Sequence, residues 1–368
     1  MGEPSDEIRR IVDGTSWDEF CDALKDAGSV ILCKGAPDDP LTRAEGWRYL
    51  TRLTRAAFES FVEASDPQAP VLRRTAHETI KIGMDNPDNI YMSAPIRGSF
   101  QYRLTGTRGT VQYLGFGTQK GNYGATGSLE TTGYLHANDL EIDADGRFEI
   151  IVSTEQQPGN WLQATPESST LIVRQTRYDH ANEIPAEIAI ERIDGPGQPR
   201  HLEPARMDQA LRKSAGFVKG CSTIFETWAE DFAKHTNELP MFDRERARIA
   251  GGDPNITYYH SYWRLGPDEA LVIEATPPAC DYWSFQLANH WLESLDYRYF
   301  PVHLNAFMAK LRDDGSVRVV VSHENPGVDN WLDTCGHELG TMCWRWVGAS
   351  EFPGPQTRVV PIAELRGD

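Results

Sequence analysis

No stretch of this 368-residue chain approaches the ~20 consecutive apolar residues that a membrane helix needs. The opening MGEPSDEIRR is polar and lacks the apolar core of a secretory signal. Gly2 invites comparison with a myristoylation signal, but Asp6 stands where that signal wants Ser or Thr. Basic residues are scarce: 36 Lys and Arg face 54 Asp and Glu, for a net charge of −18. A surface that acidic repels phosphate backbones and anionic headgroups, so neither nucleic acid nor membrane is an expected partner. The six cysteines, Cys21, Cys33, Cys221, Cys280, Cys335 and Cys343, form no CxxC pair. Their scatter argues against a disulfide framework or zinc knuckle and for a reduced, cytoplasmic setting.

Catalytic signatures are also missing. There is no HExxH, no Gly-x-Ser-x-Gly, and no Gly-Lys-Ser/Thr ending to the glycine-rich stretch 115–127. No metal and no organic cofactor is therefore expected. A site of three histidines, or of two histidines and a carboxylate, assembled across strands would leave no such local spacing.

What the sequence does contain is a repeat. Residues 145–162 read DGRFEIIVSTEQQPGNWL and residues 314–332 read DGSVRVVVSHENPGVDNWL. Upstream, NPDNIYMS at 86–93 matches DPNITYYHS at 253–261, and YLGFGT at 113–118 lies in register with YWSFQL at 282–287. The offset stays near 167–170 throughout, which points to a tandem duplication. Each copy has short β-branched and aromatic runs between Gly, Pro and Asp turns, with Asp145-Gly146 and Asp314-Gly315 as hairpin turns. This predicts two antiparallel β-sandwich or jelly-roll-like units.

Helices are expected around them. Ser16-Trp17-Asp18-Glu19 is a capping-box pattern, and Gly28 can end the helix it starts. An amphipathic stretch runs from Leu41 to Glu63, and another carries Phe217, Cys221, Phe225, Trp228 and Phe232 as its apolar stripe. The expected organisation is α+β: a helical region over 1–82, a first β-unit over 83–200, a helical connection over 201–249 and a second β-unit over 250–368.

The second copy resembles the bacterial domain-of-unknown-function family 1214. The likeness rests on YWSFQL, the Tyr297-Arg298-Tyr299 cluster, LRDDGSVRVVVSHENPG at 311–327, NWL at 330–332 and CWRWVG at 343–348. This chain has Asp333-Thr334-Cys335 where the family tends toward Pro-Ala-Pro. The resemblance implies a tandem β-sandwich and brings no reaction with it.

Comparing the copies suggests which residues carry chemistry. Trp161 and Trp331, shared by both, read as scaffold. His290, His303, His323 and His337 lie in the second copy, where His323 replaces Thr154 and His303 replaces Tyr134. His323-Glu324, with Glu155 as the first-copy counterpart of Glu324, is the expected acid–base group. Adjacent strand residues point to opposite faces, so the pair needs a twisted turn to act together. His290, Trp291, Arg298, Tyr299, His303 and the loop residue Tyr123 are the expected substrate contacts. The expected function is a cofactor-independent enzyme acting on a small, largely apolar molecule, of hydrolase or lyase/hydratase type. The alternative is a non-catalytic protein that binds a carbohydrate or another small molecule. Both sandwiches have strand edges to protect, and a homodimer is one solution.

Overall fold

The computed structural model describes residues 5–366. Three helices come first: α1 (Asp6–Val12), α2 (Thr15–Ile31) and α3 (Pro40–Phe58). Helix α3 starts as its sequence dictates, with Pro40 in the first turn and the Asp39 carboxylate accepting the Thr42 N–H at 2.9 Å. Helix α2 departs from the sequence reading at both ends. Gly14 sits at its N-cap, and Ser16 instead donates to the buried Asp208 at 2.6 Å. Gly28 lies inside the helix, because a Cβ there would stand 3.2 Å from the Trp47 ring of α3. It is a close-packing site rather than a stop.

The first copy supplies β1 (Arg73–Ala76), β2 (Asn89–Pro95), β3 (Tyr102–Thr107), β4 (Tyr113–Lys120), β5 (Glu130–His136), β6 (Arg147–Ser153), β7 (Trp161–Gln163), β8 (Thr170–Thr176) and β9 (Glu187–Arg192). Helices α4 (Pro204–Ala233) and α5 (Arg244–Ile249) follow. The second copy supplies β10 (Ile256–Arg264), β11 (Glu269–Ala275), β12 (Tyr282–Ala288), β13 (His303–Asn305), β14 (Val317–Ser322), β15 (Trp331–Asp333), β16 (Leu339–Val347) and β17 (Gln356–Pro361).

The sheets run β1-β2-β8-β4-β5 and β7-β6-β3-β9 in the first copy, and β10-β16-β12-β13 and β15-β14-β11-β17 in the second. Leaving aside β1, the two copies match strand for strand. The fold is α+β, a tandem pair of largely antiparallel sandwiches, with β6–β7 and β14–β15 as parallel pairs. Each sandwich closes on its own core, around Leu104, Phe116, Ile150 and Val173 in the first and Trp263, Phe285, Val319 and Trp344 in the second.

The repeated Val-Ser…Asn-Trp motif has a structural cause. Ser153 Oγ donates to Glu155 O at 2.6 Å and lies 3.1 Å from Trp161 Nε1; Ser322 Oγ does the same with Glu324 O and Trp331, at 2.7 and 3.0 Å. Asn160 and Asn330 each donate to the preceding strand at 2.9 Å, to Glu149 O and Arg318 O. The motif therefore fixes a turn through backbone groups of the glutamates.

The 30-residue α4 packs against α2 and α3. Their shared core, with Tyr49, Phe225, Trp291 and Cys343, covers the outer face of the β10-β16-β12-β13 sheet. The corresponding face of the first copy lines a cavity.

A candidate anion-binding cavity between the repeats

The cavity measures about 900 Å³ and lies between β2 and β8 of the first copy, α4, and β10 and β16 of the second. Its inner end is built from a feature that the duplication repeats. Arg174 on β8 lies opposite Tyr91 on β2, and Arg345 on β16 lies opposite Tyr258 on β10. The tyrosine hydroxyls are held alike, by the Asn86 N–H at 3.0 Å and the Asp253 N–H at 3.3 Å. Burial raises both phenol pKa values, and both guanidinium charges oppose that rise at both rings. Four side chains from two strand pairs thus share one electrostatic environment.

The arginines differ in their partners. Arg174 donates to Gly251 O at 2.5 Å and has Asp253 at 3.8 Å. Arg345 is buried and donates to Gln286 Oε1 at 2.5 Å and Met84 O at 2.7 Å, both neutral acceptors. Among the described residues no carboxylate forms an ion pair with it. Asp85 feels the Arg345 charge, but burial raises its carboxyl pKa and Ser294 occupies both its oxygens. The buried guanidinium therefore marks a place where a further counter-charge is expected to arrive.

His260 lines the same end. Its ring lies parallel to Phe232 and Tyr258 at 5.2 and 5.5 Å, with the Phe242 edge at 5.0 Å. Burial and then the Arg345 charge hold its pKa well below the ordinary histidine value, so the imidazole is neutral at pH 7. Its Nδ1 is buried without a hydrogen-bond partner among the described residues. Phe217, Phe225, Trp228 and Phe242 supply apolar wall, and Arg200, Arg206 and Lys213 also line the cavity. Seven basic and four acidic side chains border this space in a chain of net charge −18, so the local field opposes the overall one.

The residues expected from sequence to form the site do not converge here. Tyr123 lines the cavity, with its hydroxyl on Ala250 O at 2.6 Å. The other eight are elsewhere. Glu155 and Glu324 are exposed on their turns, and His323 Nδ1 meets Thr334 Oγ1 at 2.8 Å on the half-buried flank of the second sandwich. They occupy that turn because their backbone serves the Ser–Trp motif. Trp291 is core: its Nε1 donates to Thr42 O at 2.8 Å, and Gly46 makes room for its ring. His290 is buried beside it, 3.0 Å from the Tyr262 hydroxyl, and burial lowers it to about 4. Arg298 pairs with its neighbour Asp296 at 2.7 Å, and Tyr299 is 75% exposed. His303 contacts Asp88, outside the cavity lining.

The glycine-rich stretch is strand in its first half and a turn exposed over 124–127 in its second. Residues 113–120 are strand β4, and Gly124 packs so closely on α4 that a Cβ would meet Gly216 C at 2.3 Å. What sequence reasoning missed was an arginine set within an apolar strand in both copies, TLIVRQT and LGTMCWRWV.

A family model for a protein of unknown function, DUF1214, matches residues 92–178 and 268–351. The crystal structure of an uncharacterised protein from Burkholderia cenocepacia is similar over 97% of this chain and 99% of that one, at 49% identity and a TM-score of 0.96. The VPA0106 protein from Vibrio parahaemolyticus is similar over 85% of this chain and 98% of its own, at 12% identity and a TM-score of 0.50, a likeness of fold alone. No curated protein matches.

Proposed function

The chain belongs to the DUF1214 family of proteins of unknown function, and from the cavity we propose that it binds a small organic anion with a largely apolar body. Arg345 carries this reading: a buried guanidinium held by neutral acceptors alone. A carboxylate entering from solvent supplies the counter-charge and accepts charge-assisted hydrogen bonds. The phenols of Tyr91 and Tyr258, kept protonated by burial, are further donors. The aromatic wall of Phe217, Phe225, Trp228 and Phe242 receives the apolar part. A volume of about 900 Å³ is at the large end for a small-molecule site.

Acid–base turnover of the bound anion, of hydrolase or lyase type, is the second reading, and His260 favours it. A neutral imidazole with a free Nδ1 beside the arginine that would hold the anion is placed to accept a proton. Cys343, 4.0 Å from His260 Nε2, is not the nucleophile in this reading, because burial pushes its thiol up to about 11. All six cysteines are free thiols, which suits a cytoplasmic setting. Among the described residues no helix is long and apolar enough to cross a membrane.

Isothermal titration with benzoate, phenylacetate and indole-3-acetate, each beside its carboxamide, tests the binding. At least one acid should bind about tenfold or more tightly than its amide, and Arg345→Gln should remove that difference. Equal affinity for acid and amide, or no acid bound at millimolar concentration, refutes the reading.

A further inference from the structure

We infer that Asp88, His180 and His303, none of which lines the cavity, form a divalent transition-metal site at the junction of the β-repeats. Asp88 is fully buried, and both imidazoles aim Nε2 at one of its oxygens: His180 at 2.7 Å and His303 at 3.2 Å from Oδ1. The three ligand atoms all lie within 4.8 Å of one another. The other oxygen, Oδ2, accepts the hydroxyl of Tyr282, which orients the carboxylate from outside the ligand set.

The elements that hold these groups are rigid on two sides and open on the third. Asp88 sits in an Asx turn, its N–H on Asn86 Oδ1 at 3.0 Å, and its carbonyl accepts the Arg177 N–H at 2.9 Å. His303 begins β13, opposite Gln286 of β12. His180 follows β8 on a loop and has a side chain 35% exposed. It can therefore withdraw to admit an ion, and its side leaves coordination positions open to solvent. Two histidines and one carboxylate are the donor set of open Zn²⁺ and Fe²⁺ sites. Ligand atoms of a tetrahedral zinc site stand about 3.3 Å apart, beside 2.7 and 3.2 Å from the two imidazoles to Asp88 Oδ1.

The duplication supplies an internal comparison. Pro87 corresponds to Pro254, so the position of Asp88 holds Asn255 in the second copy, and the position of His303 holds Tyr134 in the first. At the equivalent place Tyr113 donates to Asp253 at 2.7 Å, Asn255 donates to the Tyr134 hydroxyl at 3.0 Å, and Arg174 balances the carboxylate from 3.8 Å. Asp88 has no such guanidinium: among the described residues its ion-pair partners are the two imidazoles. One of two related clusters has exchanged an arginine-balanced carboxylate for a pair of metal-ligating side chains.

The test uses the untagged full-length chain, stripped with EDTA and titrated with Co²⁺, whose d–d absorption reports coordination directly. One equivalent should bind with a visible band, and Zn²⁺ should displace it. His180→Ala, at a partly exposed loop position, should weaken binding by about 100-fold or more, whereas His235→Ala, an exposed histidine elsewhere, should not. Asp88→Asn should abolish it; if that variant fails to fold, the His180→Ala result decides. Absence of the band in wild-type protein, or its survival in His180→Ala, overturns the inference. Because none of the three residues lines the cavity, this outcome is independent of anion binding.

Discussion

Arg345 occupies in the second copy the register position that Arg174 occupies in the first, each facing a tyrosine across one strand pair. Among the described residues only the first-copy arginine has a carboxylate within ion-pair distance, Asp253 at 3.8 Å. The duplication thus made two cationic positions, and one is held by neutral hydrogen-bond acceptors.

That asymmetry predicts unequal mutants. Hydrogen bonds to charged groups are worth about 1.5–3 kcal/mol, or roughly 10- to 100-fold in affinity. Arg345→Gln should lower the affinity for an organic acid toward the upper end of that range, and Arg174→Gln toward the lower end. Titration calorimetry on both variants reads the difference, and a larger loss for Arg174→Gln would contradict the assignment.

The Ser–Trp turns should behave as scaffold. Ser322→Ala leaves the indole N–H of Trp331 and the Glu324 carbonyl without a partner. The expected cost is about 1–3 kcal/mol in denaturant unfolding. His323→Ala, on the same turn, should leave anion affinity unchanged.

Gly220→Ala should damage stability and binding together. A Cβ at Gly220 would stand 2.3 Å from Tyr123 O and 2.7 Å from its carbonyl carbon, both backbone atoms that cannot rotate away. Overpacking of this kind costs about 1–3 kcal/mol. Because Tyr123 lines the cavity, the loop's displacement should also raise the Kd for the acid.

The buried histidines set opposite pH dependences. Burial, with Arg43 assisting, lowers His290 to about 4 from an ordinary 6.5. The unfolded chain then binds more protons at that site below pH 6.5, so stability falls as pH drops from 6.5 toward 4. His260, also lowered by burial, adds to the same trend. For His337, burial works to lower the pKa, but the Glu45 hydrogen bond at 3.0 Å and its charge outweigh it, and the net shift is upward. Its contribution is full below pH 6.5 and is lost as pH rises through the folded value. Burial raises Glu45, but His337, Arg48 and Asn289 together lower it more, so the Glu45 contribution is full above 4.5 and lost as pH falls through its folded value. Urea unfolding should show His290→Gln flattening the acid loss, and His337→Gln costing more at about pH 6 than at about pH 9.

The fold was legible because repetition is legible. The Asp-Gly turns both hold their glycine at positive φ, Gly146 at 78° and Gly315 at 80°, and the strands fall where the repeated apolar runs fall. Gly28 misled because a glycine needed for helix packing looks the same in sequence as one that ends a helix. The site was harder for a physical reason. Treating whatever both copies share as scaffold holds for Ser153, Trp161, Ser322 and Trp331, whose bonds are internal to each turn. Tyr91, Arg174, Tyr258 and Arg345 are shared as well, and all four line the cavity. The visible signal was charge in the wrong company: an arginine inside an apolar strand, twice.

A crystal structure of the protein soaked with 4-bromobenzoate tests the anion-binding reading most directly, because the anomalous signal of bromine fixes the ligand's position and direction. The account predicts the carboxylate within hydrogen-bonding distance of Arg345, facing Arg174, with the bromine directed toward Phe225 and Trp228. A ligand bound outside the cavity, one bound with its carboxylate turned away from both arginines, or a cavity left empty at saturating concentration would contradict it.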